Sequence, residues 1–386
     1  MIKSEYKYIY NLNFLAKISY IDRLYLARSI FLSVTIRISL MIFAYFIGHA
    51  IIKNNTAGFI HFIYDIVSRW DVLAFLFIAE NGYVNFGDQK YYLVYLPLYP
   101  TLIYIFHYLF ASYMAAALFI NFIFSTISGY LLQKLVSIDF DDDIVKKSLY
   151  FFFLFPTSYF LIVPYTEPLF ISLVLASLLF ARKKKWFLAS MMAMLCTNTK
   201  LQGIVIIPTL LIEFWNQRKE VDFRNILYLF IAPIGFLSYL FINWYVSNNP
   251  FEFLRMQKEH FFHESITPWN CILNTLQHIF TDKISETRIM IHETRLWAIL
   301  ISLTLLLFSI KKLRISYSFY SLSQLLILLT DSWLLSLPRY ILAFFPMFIS
   351  LAIISKNEYI YTFLLTISSF IMIGFYSLYI SGYWAF

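Results

Sequence analysis

YMAAALFINFIFSTISGYLLQKLV, residues 113–136, decides the fold class. Its one charged residue, Lys134, stands near the end of the run. A helix rises about 1.5 Å per residue, so about 20 apolar residues cross a hydrocarbon core of about 30 Å. In lipid every backbone N–H and C=O must find a partner within the chain, which leaves a helix or a closed barrel. Barrel strands alternate lipid-facing and lumen-facing residues with a period of two, and the run shows no such alternation. It is therefore predicted to be a transmembrane helix.

Similar runs recur along the 386 residues, separated by short charged clusters. The chain is 60% hydrophobic and only 13% charged, where a soluble domain carries about 25% charge. The prediction is an all-α polytopic membrane protein. The spans fall near 30–52, 113–136, 147–163, 166–181, 186–198, 200–214, 226–246, 294–310, 316–335, 339–355 and 358–380, about eleven crossings. They form one integral membrane domain over 1–386, with no internal repeat, low-complexity segment or soluble domain. A net charge of +8 then concerns orientation rather than nucleic acid, because Lys and Arg collect on the cytoplasmic side. Arg182-Lys183-Lys184-Lys185, Arg218-Lys219 with Arg224, and Lys311-Lys312 with Arg314 all fall inside if the N-terminus is cytoplasmic. LPLYPTLIYIFHYLF, residues 96–110, is apolar enough to be a further span, but counting it would place those clusters outside. It is therefore expected as a short helix at, or dipping into, the outer surface. No cleavable signal peptide is evident, and residues 1–29 mix apolar and basic residues, as an interfacial segment does. Cys196 and Cys271 are the only cysteines, too few for a disulfide framework or a Cys-rich metal site.

This topology leaves two long outer segments, 53–112 and 247–293. A glycosylation sequon at Asn54-Asn55-Thr56 agrees with an outer location. The unusual polar residues gather on the same side: Asp71 and Glu80, Glu167 in the turn Pro164-Tyr165-Thr166-Glu167-Pro168, Lys200 and Gln202, Arg255, Lys258, His260 and His263, and Arg339. Each has a plain structural explanation. Asp71 suits a helix cap. Thr166-Glu167-Pro168 is a good helix start. Lys200 suits snorkelling to the interface. Arg339 suits an ion pair with a carboxylate such as Asp331. His260 and His263 lack the H-E-x-x-H pattern or Cys cluster of a metal site. Together they suit another use. A carboxylate takes a proton from a hydroxyl, and separate cations hold a phosphate. Set at a membrane boundary, they fit a substrate with a lipid tail in the bilayer. A transporter would carry such charges too, so residue types alone leave both open.

Arg69-Trp70-Asp71, then Ile78-Ala79-Glu80-Asn81-Gly82-Tyr83, then Leu96-Pro97-Leu98-Tyr99-Pro100 resemble the W-D, I-A-x-x-G-Y and F-P-L-x-P segments of the phosphatidylinositol-glycan class V mannosyltransferase family. Pro164-Tyr165-Thr166-Glu167 is similar to its P-Y-S/T-E segment, and Pro338-Arg339-Tyr340 to its late P-R-Y segment. Phe253-Leu254-Arg255-Met256-Gln257 with His260 resembles a stretch of its prokaryotic relatives. The matches run in order from about residue 69 to about 345. Leu96 departs from the usual aromatic, and Lys200-Leu201-Gln202 stands where relatives tend to have T-R-P-x-G.

The resemblance implies a GT-C glycosyltransferase fold and a multi-pass enzyme of the plasma membrane or endoplasmic reticulum type. It implies transfer of mannose from a polyprenyl- or dolichyl-phosphate donor to a lipid or glycan acceptor, on the luminal or extracytoplasmic side. The eukaryotic members serve GPI-anchor biosynthesis. Asp71 is then the expected catalytic base of a single inverting displacement. Lys200, Arg255 and Arg339 are expected at the phosphate, Glu80 or Glu167 at sugar hydroxyls, and Trp70, Tyr83 and Tyr165 against sugar faces. His260 and Gln202 are further substrate-binding candidates. No cofactor is implied, and the lack of a D-x-D pair near Asp71 argues against a divalent metal. Another sugar such as glucose or arabinose, a lipid-linked-sugar flippase, and a subunit of a membrane complex are the alternatives.

Overall fold

The computed structural model describes residues 19–52, 59–286, 288–332 and 335–385. The sequon at 54–56 and most of the expected interfacial segment lie outside these residues. Among the described residues the protein is helical, and its only β contact is an isolated bridge between Ser265 and Asp331. In chain order the α-helices are α1 (Tyr20–Ile52), α2 (Phe59–Val67), α3 (Asp71–Asn81), α4 (Leu98–Phe110), α5 (Tyr113–Val136), α6 (Asp142–Phe153), α7 (Glu167–Arg182), α8 (Trp186–Thr197) and α9 (Ile206–Gln217). They continue with α10 (Pro233–Ser247), α11 (Glu252–Phe261), α12 (Pro268–Thr281), α13 (Thr294–Lys312), α14 (Ile315–Leu328), α15 (Leu337–Tyr340), α16 (Phe345–Ile354) and α17 (Glu358–Ser381).

Five helical stretches are long and apolar enough to cross a membrane: Tyr20–Gly48, Tyr113–Val136, Phe223–Ser247, Arg288–Lys312 and Glu358–Ser381. Two bent pairs raise this to seven if each is one span: Asp88–Val94 with Leu98–Phe110, bent by 109°, and Leu337–Ala343 with Phe345–Ile354, bent by 80°. The other crossings expected from sequence fall on shorter helices. The 12 residues of α8 reach about 18 Å, short of a hydrocarbon core. Length and composition thus support five or six of the eleven, and the pair Asp88–Val94 with Leu98–Phe110 falls on the segment 96–110, which is not counted among them. Among the short helices, α7 is buried along almost its whole length, where neighbouring protein can satisfy broken backbone. The first helix begins at Tyr20 rather than near Ile30. Ser19 starts it, its hydroxyl accepting from the Asp22 N–H at 3.1 Å, so Arg23 and Arg28, expected on the interface, belong to a continuous helix.

The polar residues of the bundle collect at its two ends. At one end, Asp22 pairs with Lys134 (2.5 Å), Arg28 with Asp142 (2.7 Å), Lys147 with Glu358 (2.7 Å), Arg182 with Asp139 (2.6 Å) and Arg314 with Glu213 (2.7 Å). These join the starts of α1, α6 and α17 to the ends of α5 and α7, and the start of α14 to α9. The other end holds the starts of α3 and α7, the end of α8, and α15. Close helix approach sets that end. A Cβ on Gly235 would lie 1.9 Å from the Met194 carbonyl oxygen, so α10 can press on α8 only through a glycine. Asn121 of α5 is fully buried. Its amide donates to the Val163 and Tyr165 carbonyls, and its oxygen accepts from the Tyr99 hydroxyl at 2.7 Å. One side chain therefore fixes the turn before Glu167 against α4.

Candidate active site

The site is built around the start of α3. Trp70, which precedes it, has φ 49°, in the left-handed region that a bulky residue occupies at a cost of roughly 1–3 kcal/mol. Packing holds it there. Its indole meets Tyr379 edge-on at 5.0 Å and Trp384 at 5.6 Å. Arg69 donates to the Tyr379 carbonyl (2.7 Å) and the Ile380 carbonyl (2.8 Å). The dipeptide is bolted to the end of α17, and the next residue, Asp71, is turned toward a cavity of about 200 Å³. Asp71 does not cap its helix. Its Oδ1 accepts from the Tyr95 hydroxyl at 2.9 Å and its Oδ2 from Arg339 Nη1 at 3.0 Å.

Arg339 is the hub. It enters from α15, where Pro338 at the helix start fixes the chain. Its Nε lies 3.3 Å from Glu167 Oε1. Its guanidinium stacks over Tyr340 (4.9 Å), Tyr165 (5.0 Å) and Phe160 (5.4 Å), where cation–π attraction adds to ion pairing. Asp331, proposed above as its partner, instead pairs with His263. Lys200 stands in the turn between α8 and a 3-10 segment, Leu201–Val205. It does not snorkel outward. Its Nζ donates to Glu167 Oε1 at 2.6 Å and lies 4.6 Å from the Tyr340 ring centre. Burial pulls its pKa below the ordinary lysine value, opposed by the Glu167 charge and aided by that of Arg339.

Asp71, Lys200, Arg339, Tyr165 and Gln202 all line the cavity. Glu167 is 2% exposed and sits behind Lys200 and Arg339, outside the lining. The remaining candidates lie away from the cavity. Glu80 is exposed at the far end of α3; nine residues along a helix separate it from Asp71 by about 13 Å. Tyr83 donates to the Tyr95 carbonyl at 2.7 Å and so braces the loop that carries Tyr95. On α11, Gln257 and Phe261 face the cavity; Arg255, two residues before Gln257, lies on the opposite face, and His260 is outside the lining. Arg255 pairs with Glu252 and Glu259, and His260 stacks on Tyr91 at 4.2 Å. Trp70 packs behind the wall that Trp384 presents.

Tyr95, Tyr340, Gln257, His263 and Trp384 line the cavity without having been assigned a role from sequence. Tyr340 and Gln257 belong to quoted motifs and Tyr95 adjoins one, which is a usable signal. His263 and Asp331 lie far apart in the chain, and no spacing announces their pairing. A metal ion has one candidate home among the described residues, His278, Asp282 and His292, whose ligand atoms lie within 4.8 Å of one another. None of the three lines the cavity, and the two imidazoles stack on each other at 4.4 Å. No family model, curated protein or solved structure matches the chain.

Chemically, the cavity offers a carboxylate as proton acceptor, two cations for an anion, and aromatic walls. Each oxygen of an ionised carboxylate can accept more than one hydrogen bond, so Asp71 can receive a further hydroxyl with Tyr95 and Arg339 in place.

Proposed function

We propose that the protein is an integral membrane glycosyltransferase that moves mannose from a polyprenyl- or dolichyl-phosphate donor to a hydroxyl of a lipid or glycan acceptor. One observation carries the reading: Asp71, Lys200 and Arg339 line a single cavity at one end of a helical bundle. The ordered motifs that resemble the class V mannosyltransferases point the same way, and the reading carries with it a GT-C fold with about eleven crossings. The basic clusters belong to the opposite end, which by the positive-inside rule supports a luminal or extracytoplasmic position for the cavity.

In this mechanism the acceptor hydroxyl donates to Asp71 and attacks the anomeric carbon. The new C–O bond forms as the bond to the phosphate oxygen breaks. The proton passes to Asp71, and the lipid phosphate departs with the bonding electrons. Lys200 and Arg339 stabilise that charge as it develops, where a preorganised cation is most effective. One displacement inverts the anomeric centre, as in inverting glycosidases, with a sugar or lipid hydroxyl in place of water.

Glucose or arabinose on the same carrier would use the same groups. A flippase is disfavoured because the charges that line the cavity lie at one end of the bundle. The test is transfer of radiolabel from polyprenyl-phosphate mannose to a membrane-lipid extract. Wild type should form a labelled glycolipid and Asp71→Asn, with an unchanged elution profile, should form none. Full activity in Asp71→Asn would remove the base assignment, and failure of wild type with every donor sugar would remove the enzyme class.

A further inference from the structure

Glu167 is surrounded by the cavity's charges without facing the cavity. Its Oε1 is 2.6 Å from Lys200 Nζ and 3.3 Å from Arg339 Nε. Its Oε2 is buried with no hydrogen-bond partner. Lys200 and Arg339 stand between it and the cavity, at 14% and 8% side-chain exposure. A group in that position cannot reach a ligand in the cavity except through the two cations. Its effect on them is strong, because a buried charge is screened little by solvent.

We infer that Glu167 is a positioning residue that holds Lys200 and Arg339, from behind, as a preformed clamp for one phosphate-type anion, and that it does not bind the sugar. This deepens, and rests on, the reading of the cavity as a lipid-phosphate site. Without Glu167, two cations would face each other in a buried space, and the cheapest relief is for Lys200 to lose its proton. Arginine cannot do so. The groups that face Lys200 are Glu167 on α7, Arg339 and Tyr340 on α15, and Asp71 on α3. Glu167 is its nearest counter-charge and, among the described residues, the acid in direct contact with it, at 2.6 Å.

The consequence depends on pH, which separates it from a direct role in holding the sugar. Binding of a polyprenyl phosphate carrying no sugar is measured for wild type and Glu167→Gln at about pH 6 and about pH 9. The ratio of the two proteins cancels the titration of the probe itself. At the lower pH Lys200 keeps its proton in both, and the variant should bind at least as tightly as wild type. At the higher pH the variant has lost the Lys200 charge and should bind about tenfold more weakly. Introducing Lys200→Met first should shrink the high-pH effect of Glu167→Gln, since the titrating partner is gone. If the variant is poorly folded, Glu167→Asp, which keeps the charge, should restore folding and the wild-type pH dependence. Equal loss at both pH values, or a loss seen only with the sugar-bearing donor, overturns the positioning role and leaves the phosphate reading intact. Failure of wild type to bind the probe at either pH overturns the phosphate reading itself.

Discussion

At the scale of single residues, the site is a short chain of charges: Asp71 to Arg339 to Glu167 to Lys200. Tyr95 is the neutral member, and its hydroxyl is the second partner of Asp71. A hydrogen bond to a charged group contributes about 1.5–3 kcal/mol. Tyr95→Phe should therefore lower kcat about tenfold to hundredfold, with the melting temperature in detergent little changed. An unchanged kcat would show that Arg339 alone orients Asp71. Lys200 supplies a pH prediction with a definite sign. Burial lowers its pKa, the charged form exists below that pKa, and it is lost as pH rises through it. The alkaline fall of kcat/KM, which reports the free enzyme, should come at a lower pH than an ordinary lysine would give. Lys200→Arg, which stays charged, should remove that fall. Asp71, Lys200, Glu167 and Arg339 could be singled out in the sequence because charge is rare in an apolar chain. Their order in the cluster could not, since it depends on which side chains meet across α3, α7 and α15.

At the scale of elements, the site depends on helix ends being held where they break off. Asn121 does this for the 163–165 turn, serving two carbonyls and one hydroxyl from a buried position. Asn121→Leu would strand those groups, each worth roughly 1–3 kcal/mol when left unmade. Thermal unfolding should drop measurably, and activity should fall with it, because Tyr165 and Glu167 follow directly. Gly235 is the counterpart between α8 and α10. Gly235→Ala places a Cβ 1.9 Å from the Met194 carbonyl oxygen, which must push the helices apart. Lys200 stands just past the end of α8, so this variant should lose donor binding as well as stability, read by melting and by binding in parallel. The length of apolar runs located most of the long helices, since such runs are unmistakable in a chain this poor in charge. It placed the first one too late, because charged residues at Asp22, Arg23 and Arg28 look like an interface until their partners are seen.

At the scale of the whole molecule, the two polar ends make orientation testable. Cys196 and Cys271 are both buried, so an introduced thiol has little background. Lys184→Cys at the exposed α7–α8 turn should react with an impermeant reagent only from the cytoplasmic side, and Asn85→Cys, between α3 and the segment Asp88–Val94, only from the other. The same side for both would overturn the separation of the ends. The sequence by itself determined that the chain is helical and membrane-embedded, and which few ionisable residues it carries among its apolar helices. Those conclusions follow from local quantities: the length of apolar runs, the cost of unsatisfied backbone in lipid, and the positions of Lys and Arg. Tertiary structure alone decided that Glu80, Arg255, His260 and Tyr83 stand apart from the cavity, that Tyr95, His263 and Trp384 line it, and that Glu167 lies behind the cations. Those facts depend on contacts between residues as distant as Asp71 and Arg339. Such contacts are set by how broken helices pack against one another, and a one-dimensional pattern does not encode that packing.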